Sequence, residues 1–285
     1  MPQSSVTRAM LWMVGWLAAT FAMTISAREL AHDVPVFVIM ILRSVMAVIM
    51  LAPFIALNGG LKGRLSQFRL HLVRNFIHYA AQYAWFSALA LIAMGQVVAI
   101  EFTMPMWIAI LAALFLGERL TGPRIFAVIL GFAGILFIVK PGVVPVETGH
   151  IVALLAALGF AAAITLTKFI TRADSPLTVI FLMFAIQTVI GAVPAWVYWQ
   201  WPQPQNWVWV VAIGITGTFS HFCLAKAVSL ADATLVMPLD FLRVPLTALA
   251  GYWLFAERFD ATAVVGAVLI LGANAINLFG ARRAL

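Results

Sequence analysis

A chain of 285 residues in which 64% are hydrophobic and 9% charged cannot hide its apolar side chains as a water-soluble fold, since soluble domains run at about 45–50% apolar and about 25% charged. A mean hydropathy of +1.06 makes lipid the solvent, and the length accommodates one membrane domain without a soluble one beside it. The net charge of +7 does not point to nucleic acid, because the basic residues are scattered between apolar runs, as in the cytoplasmic loops of membrane proteins.

A helix needs about 20 apolar residues to cross about 30 Å of hydrocarbon. In chain order the candidate spans are 9–27, 35–57, 71–93, 96–116, 124–140, 150–170, 177–199, 207–230, 233–255 and 262–280. The first follows Arg8 and is too long for a signal h-region, so it is read as a retained span. Breakers separate the spans: Asn58-Gly59-Gly60, Thr121-Gly122-Pro123, Pro141-Gly142 and the run from Pro202 to Pro204. The expected fold is an all-α integral membrane protein of ten transmembrane helices.

Ionisable groups inside spans are costly and usually face a cavity or a partner. Span one carries Trp12 and Trp16 one turn apart, which either stack a substrate ring or pack against lipid. Span two carries Arg43. Span three carries His78 and Gln82, four apart, beside Tyr79 and Tyr83, four apart, so two polar stripes share one side of the helix and read as a cavity wall or as interhelical glue. Span four carries Glu101 and Pro105, and span eight His221. Span nine carries Asp240, with Arg243 one turn on, and Pro245. Glu101 and Asp240 are candidate gate or substrate-amine contacts; the alternative is that each neutralises an arginine, Arg43 for Glu101 and Arg243 for Asp240. Pro105 and Pro245 each remove an intrahelical hydrogen bond mid-span and are candidate hinges. Gly131, Gly134, Gly266 and Gly272 lighten spans five and ten for close helix packing or a homodimer face. The lone cysteine, Cys223, reads as a small buried side chain.

With both termini on the cytoplasmic side, eleven Lys and Arg fall in inside segments and three outside, a bias that sets this orientation. Trp196, Trp199, Trp201, Trp207 and Trp209 cluster about one outer loop as an interfacial belt.

The halves repeat. An offset of 139 residues carries Glu101-Phe102 onto Asp240-Phe241 and Glu118-Arg119 onto Glu257-Arg258, and Asp33-Val34-Pro35 meets Asp174-Ser175-Pro176 at an offset of 141. The units are residues 1–142 and 143–285. Five spans is an odd number, so the second unit inserts upside down, a plan of secondary transporters with substrate near the midplane between repeats. At 1.5 Å per residue Glu101 is expected roughly 7 Å below one surface and Asp240 roughly 10 Å above the other, one carboxylate toward each mouth.

The chain resembles the EamA type of the drug/metabolite transporter superfamily. The residues that carry the resemblance run from Met94-Gly95-Gln96 to Phe115-Leu116-Gly117-Glu118-Arg119 and from Gly131 to Lys140-Pro141-Gly142, with Phe255-Ala256-Glu257-Arg258 as an echo. The resemblance implies two inverted five-helix repeats, a central cavity lined by spans one to four and six to nine, and spans five and ten at the periphery. It implies a bacterial inner-membrane carrier of small metabolites. Amino-acid exporters similar to YddG are the first expectation, and riboflavin, nucleobase or drug carriers the alternative.

The expected function is therefore secondary transport of a small molecule by alternating access, as a monomer or homodimer in the bilayer, without a cofactor. No Walker A sequence points to direct ATP use. A membrane enzyme would need a nucleophile–base set or a metal cluster, and the histidines lie singly with no ligand spacing. A channel would need rings of like groups or a filter.

Overall fold

The computed structural model describes residues 3–57, 67–116, 122–143, 146–171, 173–230, 237–258 and 260–280. Among them every regular element is helical. In chain order they are α1 (Gln3–Leu30), α2 (Val36–Leu57), α3 (Phe68–Leu91), α4 (Met94–Glu101), α5 (Met104–Leu116), α6 (Gly122–Val139), α7 (Thr148–Ile170), α8 (Pro176–Val197), α9 (Trp207–Leu230), α10 (Arg243–Phe255) and α11 (Ala261–Gly280). A short 3-10 turn, Pro204–Asn206, leads into α9, and a longer one, Met237–Leu242, leads into α10. Glu118 and Arg119 of the sequence motif lie outside the described residues.

Seven helical segments are long and apolar enough to cross a membrane. α3 has the length but not the apolarity, because Arg69, His71, Arg74, Asn75, His78 and Gln82 interrupt it, and all but Arg69 turn inward and are buried. α11 is apolar but shorter where the test applies, Ala261–Asn277. The surface is inverted relative to a soluble protein: Phe115, Val189, Trp196 and Trp253 are 77%, 74%, 84% and 73% exposed, while arginines and histidines lie inside. An apolar exterior of that extent fits lipid and no aqueous solvent.

Helix ends follow local chemistry. Ser175 caps α8 by accepting the Thr178 N–H at 3.2 Å, and Pro176 takes the first helical position, where no N–H is needed. Ala256 ends α10 in the left-handed region at φ 51°, so the Glu257 N–H reaches the Gly251 carbonyl at 3.0 Å.

Packing obeys a two-fold exchange of the halves. α1 packs on α9 and α3 on α7, two contacts that interchange when the repeats are swapped. α2 on α8 and α6 on α11 are each pairs of equivalent helices, and α4 packs on α10, the counterpart of α5. The peripheral pair is the tightest. A Cβ on Gly134 would lie 2.6 Å from the Gly266 carbonyl oxygen, and one on Gly266 would lie 2.5 Å from that of Gly134. These glycines therefore serve packing within one chain; Gly131 accommodates Met106 of α5 in the same way, and a Cβ on Gly272 would meet Leu130 at an unstrained 3.9 Å. Gly134→Val is expected to wedge α6 from α11 and cost about 1–3 kcal/mol, read as a fall in the unfolding midpoint of the detergent-solubilised protein. An unchanged midpoint would refute this account of the pair.

Candidate functional site

Two membrane segments change helical form at equivalent places. α4 ends at Glu101 and α5 starts at Met104; the 3-10 turn ends at Leu242 and α10 starts at Arg243. Pro105 and Pro245 are the second and third residues of the restarted helices, where their missing N–H groups cost least. The freed Phe102 carbonyl accepts the Asn274 side-chain amide at 2.8 Å, and Thr103 Oγ donates to the Ile100 carbonyl at 2.7 Å. Broken helices in lipid are tolerated where such partners exist, and they mark binding sites in transporters.

The breaks meet at one guanidinium. Arg243 Nη2 donates to Glu101 Oε1 at 2.8 Å, and its Nε lies 3.5 Å from Asp240 Oδ1. The Trp85 indole donates to the other Glu101 oxygen at 2.8 Å, and the Trp16 indole donates to Asp240 Oδ1 at 2.8 Å. The guanidinium also stands 5.0 Å over the Phe102 ring. This corrects two expectations. Glu101 pairs with Arg243 of the other half, not with Arg43. The two carboxylates also do not occupy opposite mouths, since residues close to a two-fold axis lie close to each other, and here they share one arginine. The depth reckoning failed because it took both spans as unbroken helices, while span nine begins as a 3-10 turn.

The second polar region lies on α3 and its neighbours. His78 Nδ1 is 2.8 Å from the Gln187 side-chain nitrogen of α8, and its ring packs on Phe160 of α7 at 5.3 Å. Tyr79 is buried against Gly191 of α8, Gln82 is buried, and Tyr83 is 39% exposed and stacks on Phe37 at 4.5 Å. One stripe thus faces the bundle and part of the other does not. His221 of α9 meets Phe184 of α8 edge-on at 5.9 Å. Trp12 packs edge-on with Phe222 at 5.5 Å and belongs, with Trp16, to a small apolar cluster of α1 and α9. Gln187, Phe184 and Thr167 carry no charge and lie in apolar runs, so periodicity could not select them.

Contacts between the halves close each end of α2. His71, at the start of α3, pairs with Asp174 of the α7–α8 turn at 2.9 Å, both side chains fully buried. Asp33, in the α1–α2 turn, accepts the Asn206 amide before α9 at 3.3 Å. Asp33 and Asp174 interchange under the repeat, as do α3 and α9, so the two ties correspond at the level of elements although Asn206 is not the repeat mate of His71. Near the second tie, Arg28 donates to the Leu89 and Ile92 carbonyls at the end of α3 and pairs with Glu257 at 2.9 Å. Glu257 in turn accepts the Met94 N–H that opens α4, at 2.9 Å. Burial raises the Glu257 carboxyl above its ordinary pKa, and the Arg28 charge opposes that rise.

A cavity of about 390 Å³ opens elsewhere, between α4, α10 and α11, with Gln96, Ala99, Pro245, Ala248, Val264 and Leu271 among its walls. Of the candidate residues only Pro245 lines it, and we place the chemistry at the charged clusters and regard this opening as an apolar lateral crevice.

The EamA-like transporter family model matches the chain twice, over residues 7–140 and 147–279. The chain belongs to the EamA-like transporter family. This transporter is 29% identical over 248 residues to a riboflavin transporter of Brucella anthropi, covering 85% of this chain and 87% of that one. It is 25% identical over 276 residues to an S-adenosylmethionine uptake transporter of Rickettsia bellii, covering 95% of each chain. A pseudopaline exporter of Pseudomonas aeruginosa is 25% identical over 202 residues, covering 70% of this chain and 71% of that one. A solved structure superimposes with a TM-score of 0.66 over 98% of this chain and 99% of that one at 18% identity, which bears on the fold. None of these relatives is named as an amino-acid exporter, so the YddG-like expectation has no support among them. The protein is a multi-pass membrane transporter.

Proposed function

We propose that this transporter is a secondary carrier of a small metabolite that works by alternating access. It has ten crossings in two inverted repeats, residues 1–142 and 143–285, with both termini cytoplasmic in a bacterial inner membrane. What supports this reading most is that two segments, equivalent by the repeat, change helical form at the same place and meet at the buried Arg243. Breaks at Pro105 and Pro245 supply hinges, and the Glu101–Arg243–Asp240 cluster ties the two moving halves at the pivot. His78, Gln82 and His221, joined by Gln187, form the wall along which substrate is held. The names of the relatives favour a substrate with a planar heteroaromatic ring, a flavin or an adenine derivative, and Trp16, Trp85 and Phe184 supply ring surfaces for it. Amino-acid export is the second reading.

Counterflow in proteoliposomes tests the proposal. Labelled riboflavin, S-adenosylmethionine, tryptophan and adenine are each offered to vesicles preloaded with the same unlabelled compound, with and without a proton gradient. Trans-stimulation of at least one of them is expected. Flux that ignores the preloaded compound would make the protein a channel and sink the carrier reading.

A further inference from the structure

Arg43 is a buried cation without an anion among the described residues. It lies on α2, about 11 Å from the start of that helix at 1.5 Å per residue, and is 3% exposed. Its Nε has no hydrogen-bond partner, and among the described residues no carboxylate pairs with it. Its guanidinium stands 5.2 Å over the Phe184 ring, the same ring that meets His221. Gly217 of α9 makes room for it, since a Cβ there would fall 2.7 Å from the Arg43 Nε. Arg74, 7% exposed, is likewise served by neutral oxygens alone, Thr167 Oγ at 3.2 Å and Asn75 Oδ1 at 2.8 Å. Arg43, Arg74, His78 and His221 are close enough to act on one another electrostatically.

Asp33, Glu101, Asp174, Asp240, Glu257 and Asp260 are engaged elsewhere, with Asn206, Arg243, His71, Arg28 and Lys140, and among the described residues no carboxylate pairs with Arg43 or Arg74. Two positive charges are thus left inside an apolar bundle with no counter-charge among the described residues. A buried charge must be paired or solvated, and an arginine presents a fork shaped for carboxylate or phosphate oxygens. From this juxtaposition we infer that the space between α2, α3, α8 and α9 is an anion subsite. There Arg43, backed by Arg74 and the two histidines, receives a carboxylate or phosphate group of the transported molecule. The inference rests on the carrier reading and narrows it: the substrate bears a negative group at one end, and the Phe184 face lies beside that group.

The test has two arms. In detergent, without substrate, acetate and inorganic phosphate are compared with chloride at equal ionic strength. Wild type should unfold several degrees higher in at least one of them, and which one separates carboxylate from phosphate recognition. R43Q should lose that increment while unfolding no lower than wild type in chloride, because it removes an uncompensated charge. Should R43Q instead unfold well below wild type in chloride, Arg43 is a structural cation and the subsite does not exist. Equal anion increments in both proteins overturn it as well. G217A, which crowds the guanidinium without removing it, should weaken the increment.

In proteoliposomes, S-adenosylmethionine is paired with its decarboxylated form and riboflavin with its 5′-phosphate, each pair differing by one anionic group. The anionic member should be the better counterflow substrate, and R43Q should cut that preference tenfold or more, with R43K between. An equal preference in both proteins for the member that lacks the anionic group refutes the subsite and leaves the carrier standing. Anion stabilisation that depends on Arg43 with channel-like flux sinks the carrier and leaves the subsite standing.

Discussion

Arg243→Met is expected to abolish transport and to destabilise the protein by about 3–5 kcal/mol, the cost of removing one partner from a buried ion pair. Arg243, Glu101 and Asp240 have side chains only 7%, 13% and 8% exposed. Methionine would leave two carboxylates facing each other with one indole N–H apiece, from Trp85 and Trp16. The decisive comparison is the triple variant Glu101→Gln, Asp240→Asn, Arg243→Met. It carries no buried net charge, and both amide oxygens still accept the indole donors. It should regain most of the lost stability, as replacements of whole buried pairs do. If the cluster is the pivot of the carrier, transport should stay at least a hundredfold below wild type in that stable protein. Recovery of transport together with stability would reduce the cluster to structural glue. Arg243→Lys should fall between, because one ammonium cannot repeat the fork that addresses Glu101 through Nη2 and Asp240 through Nε.

Much of this architecture was legible before any coordinates. Apolar run lengths located most of the described helices to within a few residues; α1 reaches back to Gln3, and α10 starts at Arg243, about ten residues after the expected start of span nine. The charged pairs at a fixed offset announced the halves that the two-fold packing reproduces. Pro105 and Pro245 marked the breaks because proline's missing N–H is a local fact. What stayed hidden was every contact whose partner carries no periodic signal. Glu101 was matched with Arg43 on depth, and only the meeting of α4 with α10 shows that Arg243 is nearer. Gln187 and Phe184 look like ordinary residues of an apolar helix until His78 and Arg43 are set against them. His71 and Asp174 stand 103 residues apart, and no spacing rule connects them. Arg43 was noticed, but its lack of a counter-charge is a property of its surroundings.

The two ties between the halves lead to the other large effect. Asp174→Ala should open the end of the bundle that carries His71, and Asp33→Ala should open the opposite end. The ends are separated by α2, whose 22 residues span about 33 Å at 1.5 Å per residue. A hydrogen bond to a charged group is worth about 1.5–3 kcal/mol, and about 1.4 kcal/mol is tenfold in an equilibrium. Loss of the buried His71–Asp174 tie should therefore shift the balance between the two open states tenfold or more. The Asp33–Asn206 contact is longer, at 3.3 Å against 2.9 Å, and Asp33 is exposed where Asp174 is buried, so its loss should shift the balance only a fewfold. The reporter is a cysteine at Ser44, buried next to Arg43, in a Cys223→Ala background, probed with a membrane-impermeant thiol reagent from each side of sealed vesicles. Asp174→Ala should speed labelling from the His71 side and slow it from the other, and Asp33→Ala should do the reverse. Opposed changes are required because a carrier exposes its centre to one side at a time, so what one state gains the other loses. If each variant sped labelling equally from both sides, the ties would be plain structural contacts and the bundle would merely be loosened at its ends.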